Sequence, residues 1–155
     1  RLLLEAFGSL RARHQEIELR LAGSGSLLPE LIRQYQRNDI EFTGRLTGDD
    51  LRQAYSRADC LVFPSLCYEN SPNVLEEARQ HGLKVIVPRM GGAWEFAQKK
   101  GGLLFKPADV RDLELKMEKA LSASDEAVAM PQATAGKNDP VNAGIEKIVS
   151  HFFKD

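Results

Sequence analysis

The sequence predicts an α/β domain, a Rossmann-like doubly wound parallel sheet with helices on both faces and its first strand apparently missing. Short apolar strands alternate with helical patterns, which is the order of parallel βαβ units. The chain has 155 residues, 43% of them hydrophobic, enough for one domain with a buried core. The chain opens on a helical pattern, whereas a doubly wound domain normally begins with a strand.

Five elements are predicted before residue 58. A helix over residues 1–14 carries apolar side chains at helical spacing, and a strand over 17–22 alternates apolar and polar residues. An amphipathic helix over 27–37 follows a glycine-containing turn. A second strand over 40–44 ends at a glycine, and a short helix over 49–57 completes this half.

Six further elements continue the alternation to residue 121. The strands among them are short and apolar, and each helix has one apolar side, as a layer packed on a sheet requires. In order, strand first, they cover residues 60–64, 72–81, 84–88, 94–99, 102–105 and 110–121. Residues 1–121 are therefore expected to form the compact domain.

The last part of the chain has a different composition. Residues 122–140 are rich in small and polar residues without hydrophobic periodicity, which predicts a linker or long loop. Residues 141–155 carry apolar side chains at helical spacing and predict a C-terminal amphipathic helix. Packed on the domain, this helix would complete the core; otherwise its apolar face would mediate association with a partner.

Composition excludes several classes of function. The net charge is −1 and no basic stripe is present, so nucleic acid is not the expected partner. No apolar run approaches the ~20 residues that span a bilayer. The two cysteines have neither disulfide-framework nor metal-ligand spacing, and a reducing cytoplasm is the expected compartment.

The most informative chemistry lies between the strand at 60–64 and the helix after it. Ser71 can cap that helix and Pro72 suits its first position. A helix that begins at the carboxyl end of a parallel strand directs unpaired N–H groups into a crevice, which favours a phosphate. Glu69 and Glu77, separated by seven residues, flank this position. Spacing alone fits solvated carboxylates equally well, but the cap, the strand and nearby glycine-rich loops favour a site. A carboxylate can accept hydrogen bonds from the two adjacent hydroxyls of a ribose.

These residues form part of a longer pattern, which resembles the donor-binding, C-terminal half of family-4 (group 1) retaining glycosyltransferases. The resemblance covers residues 1–121 and implies a GT-B architecture, in which two Rossmann-like domains face each other across a cleft. The pattern consists of a Pro-Ser strand end, a Glu-x7-Glu motif and a Gly-Gly turn followed by Glu: Pro64-Ser65, Glu69 with Glu77, and Gly91-Gly92-x-x-Glu95.

The resemblance also implies a role for each matching residue. Glu77 would hold the ribose hydroxyls of a nucleotide-sugar, and Glu69, the candidate catalytic residue, would contact the donor sugar. The other implied donor-binding residues are Asn70, Ser71, Pro72, Asn73, Val74, Leu75, Arg45, Leu46, Gly23, Gly91 and Gly92. No metal and no cofactor are expected, because the helix dipole and basic side chains would carry the diphosphate charge.

The leading functional hypothesis is the NDP-sugar-binding half of a retaining glycosyltransferase that transfers a hexose in polysaccharide or glycolipid biosynthesis. The family's diphosphate-binding Arg and Lys, and its acceptor domain, would precede Arg1, so this chain alone is expected to be inactive. A sugar or lipid-linked acceptor would bind to that N-terminal domain, in the cytoplasm or at the inner face of the membrane. The alternative is a non-catalytic nucleotide-binding or protein-interaction module that docks through its terminal helix. A nucleotide-sugar epimerase is a third, less favoured, hypothesis.

Overall fold

The computed structural model describes residues 1–67 and 73–122 with their side chains, and the backbone of residues 146–151. Helices and strands alternate along these residues. The helices are α1 (Leu2–Arg11), α2 (Leu28–Tyr35), α3 (Gly48–Ser56), α4 (Asn73–Gln80), α5 (Gly91–Lys100) and α6 (Val110–Ser122). The strands are β1 (Ile17–Ala22), β2 (Ile40–Gly44), β3 (Cys60–Val62), β4 (Lys84–Pro88), β5 (Leu103–Phe105) and β6 (Glu146–His151).

The six strands form one sheet in the order β2-β1-β6-β3-β4-β5, and every neighbouring pair is parallel. Counting β6 as the first strand, this is the order 3-2-1-4-5-6 of a Rossmann sheet. The predicted doubly wound α/β fold is therefore confirmed. The strand β6 lies between β1 and β3, at the position of the first strand in that order.

The predicted C-terminal helix is wrong over residues 146–151, which form β6. This strand pairs along β1 from Ile17–Glu146 to Ala22–His151, and it pairs with β3 from Cys60–Ile148 to Val62–Ser150. The physical reason is tertiary: without it, β1 and β3 would each present an unpaired row of backbone N–H and C=O groups in the middle of the domain. Ile148 and Val149 are β-branched, a residue type that suits a strand.

Other boundaries near the end of the chain also differ from the prediction. Ser122, assigned from the sequence to the linker, is the last residue of α6. The remaining linker residues, 123–140, lie outside the described residues, as do 141–145 and 152–155 of the predicted helix.

The sheet separates two hydrophobic clusters, which confirms helices on both faces. Alternate strand residues point to opposite faces, so Cys60 and Val62 belong to the first cluster whereas Leu61 and Phe63 belong to the second. The first cluster is completed by buried side chains of α1, α2 and α6, and the second by those of α3, α4 and α5. The helices α3 and α4, which concern the candidate site, thus share one face.

A buried carboxylate ties the turn after α1 to α6 on the other face. Glu114 is only 3% exposed and lies between two guanidinium groups. Arg13 Nη1 is 2.7 Å from its Oε1, and Arg111 Nη1 donates to its Oε2 at 2.8 Å. Burial raises the pKa of Glu114, but the bonds from Arg111 and Arg13 outweigh burial and hold this pKa below its ordinary value. The charged form is therefore the native one, and it fixes the turn that follows α1 to α6.

The central position of β6 predicts a large effect of proline at Ile148. Every backbone N–H of a central strand serves one of its two neighbours, so Ile148→Pro removes a ladder hydrogen bond and is expected to destabilise the fold by about 3 kcal/mol or more. Ile148→Val keeps the backbone donor and a β-branched side chain, so it should lose much less stability than Ile148→Pro. Urea unfolding followed by circular dichroism measures both. Equal unfolding midpoints for the wild type and Ile148→Pro would contradict the placement of β6.

Candidate functional site

All strand pairs are parallel, so the carboxyl ends of the strands share one edge of the sheet, where α/β proteins bind ligands. Backbone hydrogen bonds tie the segments along this edge together. Gly23 N–H donates to Gly44 O at 2.7 Å, joining the loops after β1 and β2. Arg89 N–H donates to Phe105 O at 2.8 Å and joins the ends of β4 and β5. These bonds join the segments in two pairs, one on each side of the sheet, and both pairs lie along this edge.

The first part of the Glu-x7-Glu motif falls outside the described residues. This applies to Glu69, Asn70, Ser71 and Pro72. The described residues resume at Asn73, which is exposed and is the first residue of α4. Val74 and Leu75 are buried, at 5% and 0% exposure, and their side chains belong to the second hydrophobic cluster. Any ligand at the start of α4 would therefore meet the backbone of these two residues, not their side chains.

Arg45 and Leu46 lie directly after β2 at the same edge. Arg45 is exposed, and Leu46 is half-buried. A loop at the carboxyl end of a strand is the usual position for a residue that selects a ligand. Their predicted contact with the nucleotide base stays a prediction.

The glycines of the predicted site have backbone conformations that explain the residue type. Gly91 has φ of +57°, and Gly23 has φ of +148°, values that a side chain would strain. Because the Gly23 amide is bonded to Gly44, it serves the protein and not a ligand. Gly91 and Gly92 are the first residues of α5, so the predicted start of this helix at Trp94 is wrong by three residues. Their N–H groups belong to the first helical turn, whose amides have no intrahelical acceptor.

Glu77 is held by a tyrosine from the neighbouring helix. It lies half-buried on α4, and Tyr55 of α3 donates its hydroxyl hydrogen to Glu77 Oε2 at 3.0 Å. Helical side chains lean toward the N-terminus of their helix. Both helices begin at the carboxyl edge of the sheet; Glu77 is the fifth residue of α4, and Tyr55 is next to last in α3. The sequence predicts a helix over 49–57 that contains Tyr55, but it does not indicate the bond to Glu77.

His81 stabilises the backbone of the same residue. Its Nδ1 lies 2.9 Å from Glu77 O, so this nitrogen carries the proton and donates to the carbonyl. The rings of His81 and Tyr55 lie with centroids 5.2 Å apart at an angle of 31°. Glu77 is thus restrained at its carbonyl by His81 and at its carboxylate by Tyr55.

The neighbouring Glu76 has a different environment. Its carboxylate accepts hydrogen bonds from Arg79 Nε at 3.0 and 3.1 Å, within the same helix. These bonds lower the pKa of Glu76, and the smaller effect of burial opposes them. The charge of Glu76 is thus balanced by Arg79 within α4, whereas the carboxylate of Glu77 is bonded to Tyr55 of α3. This difference provides a matched control for experiments on Glu77.

The described residues offer little for metal or thiol chemistry. Among them, no group of three or more His, Cys, Asp or Glu side chains could hold a metal ion. Cys60 is buried and Cys67 is exposed, and both are free thiols. None of the helices in the described part of the chain is long and apolar enough to cross a bilayer.

The fold and the motif together define a class of α/β proteins with a ligand edge at the carboxyl ends of the strands, and sequence comparison assigns the family. The profile of the group 1 glycosyl transferases matches residues 1–123. The chain belongs to this family, which confirms the resemblance drawn from the motif.

Individual relatives support the assignment. The chain is 34% identical over 122 residues to a sulfoquinovosyl transferase of Arabidopsis thaliana, covering 76% of this chain and 24% of that protein. It is 30% identical over 110 residues to a GDP-mannose-dependent alpha-mannosyltransferase of Corynebacterium glutamicum, covering 70% of this chain and 26% of that protein. The chain therefore spans about a quarter of the length of these relatives.

A solved structure shares the fold. The sucrose-phosphate synthase of Thermosynechococcus elongatus superposes with a TM-score of 0.61 at 26% sequence identity. The match covers 81% of this chain and 34% of that one. The matched part of this fold is thus found within a longer chain.

The environment of Tyr55 predicts how stability changes at high pH. Burial first, and then the bond to the Glu77 carboxylate, raise the pKa of the Tyr55 phenol. The unfolded chain releases this proton near pH 10 and the native state keeps it, so stability falls as pH rises above 10. The free-energy difference between wild type and Tyr55→Phe should be constant up to about pH 9 and should shrink by about 1 kcal/mol by pH 11.

Urea unfolding of both proteins between pH 8 and pH 11 measures this difference. Other titrating groups act equally on the two proteins and cancel. A difference that stays constant over the whole range would show that the Tyr55 phenol is not shielded in the native state.

Proposed function

We propose that this chain is the donor-binding half of a retaining GT-B glycosyltransferase, and that the complete enzyme transfers a hexose from an NDP-sugar in polysaccharide or glycolipid biosynthesis. The observation that carries the proposal is the restrained carboxylate of Glu77 on α4. It bonds to Tyr55 and lies on a helix that begins at the sheet edge where α/β domains bind nucleotides. Membership of the group 1 glycosyl transferases agrees with this chemistry.

In this proposal Glu77 binds the ribose. A carboxylate offers about four lone-pair positions, and the Tyr55 hydroxyl uses one of them. The remaining positions can accept hydrogen bonds from the 2′ and 3′ hydroxyls. Hydrogen bonds to a charged group are stronger than neutral ones, so this contact anchors the nucleoside.

The start of α4 would hold the diphosphate. The first N–H groups of a helix lack intrahelical acceptors, and the helix dipole adds a partial positive charge. Asn73 is exposed at this position, and the buried side chains of Val74 and Leu75 fix the backbone to the second hydrophobic cluster. Leaving-group charge developed at the diphosphate during transfer would be stabilised by these fixed dipoles. Glu69 is proposed to contact the donor sugar.

The alternative, a docking module that uses a terminal helix, is less favoured than donor binding. Residues 146–151 form the strand β6 of the sheet, where the sequence predicts a docking helix. The relatives reported above are glycosyltransferases by name, which also favours donor binding. The acceptor and its binding domain are proposed to lie in the part of the enzyme that these 155 residues do not span.

Nucleotide binding tests the proposal. Calorimetric titration of the 155-residue chain with UDP, GDP and ADP should give binding of at least one of them at concentrations up to the millimolar range. Glu77→Gln keeps an acceptor for Tyr55 but removes the charge, and it should weaken that binding roughly tenfold.

The matched control is Glu76→Gln, on the adjacent residue whose carboxylate is bonded to Arg79. It should leave the nucleotide affinity within about twofold of the wild type, because rim charges outside a contact contribute little. Absence of binding for all three nucleotides, or equal losses in the two variants, would refute the proposed function.

A further inference from the structure

The buried hydroxyl of Tyr55 is not required for packing. The side chain is 2% exposed and belongs to the second hydrophobic cluster, where a phenylalanine of the same shape would fit. A buried phenol is stable only where its hydroxyl finds a partner. Its hydrogen bond in the structure is the one donated to Glu77 Oε2. The polar atom is thus directed at the carboxylate singled out by the sequence motif.

This bond determines which carboxylate oxygen of Glu77 remains available to a ligand. Oε2 is engaged by Tyr55, and no donor among the described residues bonds Oε1. A glutamate side chain has three rotatable bonds and loses considerable freedom when it is fixed. The donated hydrogen fixes the far end of that side chain, and His81 fixes the carbonyl at its base. Both restraints exist before any ligand arrives.

We propose that Tyr55 is a positioning residue, which holds Glu77 so that its free acceptor positions face the 2′ and 3′ hydroxyls of the donor ribose. This inference rests on the proposed function of Glu77. It adds that discrimination between a ribose and a deoxygenated sugar depends on the Tyr55 hydroxyl as well as on the acid. A preorganised acceptor gains affinity because the ordering of the side chain precedes binding.

The phenol suits this role over the whole physiological range. Burial and the neighbouring carboxylate raise the pKa of Tyr55, so it remains a protonated donor. As a neutral donor it leaves the negative charge on Glu77 for the ligand. A lysine or arginine at this position would instead form an ion pair and compete with the sugar hydroxyls.

The test compares ribonucleotides with their 2′,3′-dideoxy analogues. Whichever of UDP, GDP and ADP binds is titrated calorimetrically beside its dideoxy form, and the ratio of the two affinities measures ribose recognition. Tyr55→Phe should lower the affinity for the ribonucleotide severalfold and leave that for the dideoxy form unchanged, so the ratio falls toward one. Tyr55→Met, which also lacks the hydroxyl, should give the same fall.

Tyr35→Phe is the matched control, because Tyr35 packs against the first hydrophobic cluster on the other face of the sheet. It should keep the wild-type ratio. Circular dichroism and urea unfolding of each variant establish that the compared proteins are folded. Tyr55→Met provides the measurement if Tyr55→Phe proves unstable.

The outcomes separate this inference from the proposed function. A wild-type preference for the ribonucleotide that persists in both Tyr55 variants would overturn the positioning role and leave the proposed function standing. Equal losses of affinity for the ribonucleotide and the dideoxy form would reduce Tyr55 to a structural residue and likewise overturn the inference. A wild type that binds the two forms equally, or binds neither, would overturn both.

Discussion

The constraint on which the rest of the structure depends is the backbone hydrogen-bonding requirement of β1 and β3. These strands lie on either side of the sheet's central position, and β6 pairs with both of them in parallel. Buried N–H and C=O groups must be bonded, so an empty central position would separate the sheet into two parts, each with an open edge. The helices pack on both faces of the continuous sheet. The alignment of the strand ends at one edge follows from the same pairing.

The candidate site depends on this arrangement through one face of the sheet. The helices α3 and α4 contribute to the same hydrophobic cluster, and this shared packing brings Tyr55 to Glu77. The apolar residues of α4 anchor the helix while Glu77, on its half-buried side, remains accessible. Structural and chemical roles are thus divided between adjacent positions of one short helix. Glu76 and Glu77 differ in environment because they project from different sides of it.

Much of the fold could be predicted because its elements have a clear periodicity. The strands from Ile17 to Phe105 alternate or run apolar between turn signals, and the motif with Glu77 was sufficient to indicate the family. The strand at 146–151 could not be predicted, because its apolar residues also fit helical spacing. Only the pairing position beside β1 in the sheet decides between a helix and a strand. The bond from Tyr55 to Glu77 joins residues 22 positions apart and depends on the packing of two helices. Local patterns carry no information about such a pairing.

The burial of Val74 and Leu75 has a consequence for how donor preference could evolve. Because these side chains form part of the core, the first turn of α4 can offer a phosphate only the peptide groups that every sequence possesses. In the proposed function this turn therefore does not discriminate between nucleotides. Drift at these two positions would be limited by folding, and a change of base or sugar would have to arise in segments with accessible side chains, such as the one holding Arg45. The diphosphate contact would remain constant while the specificity around it changed.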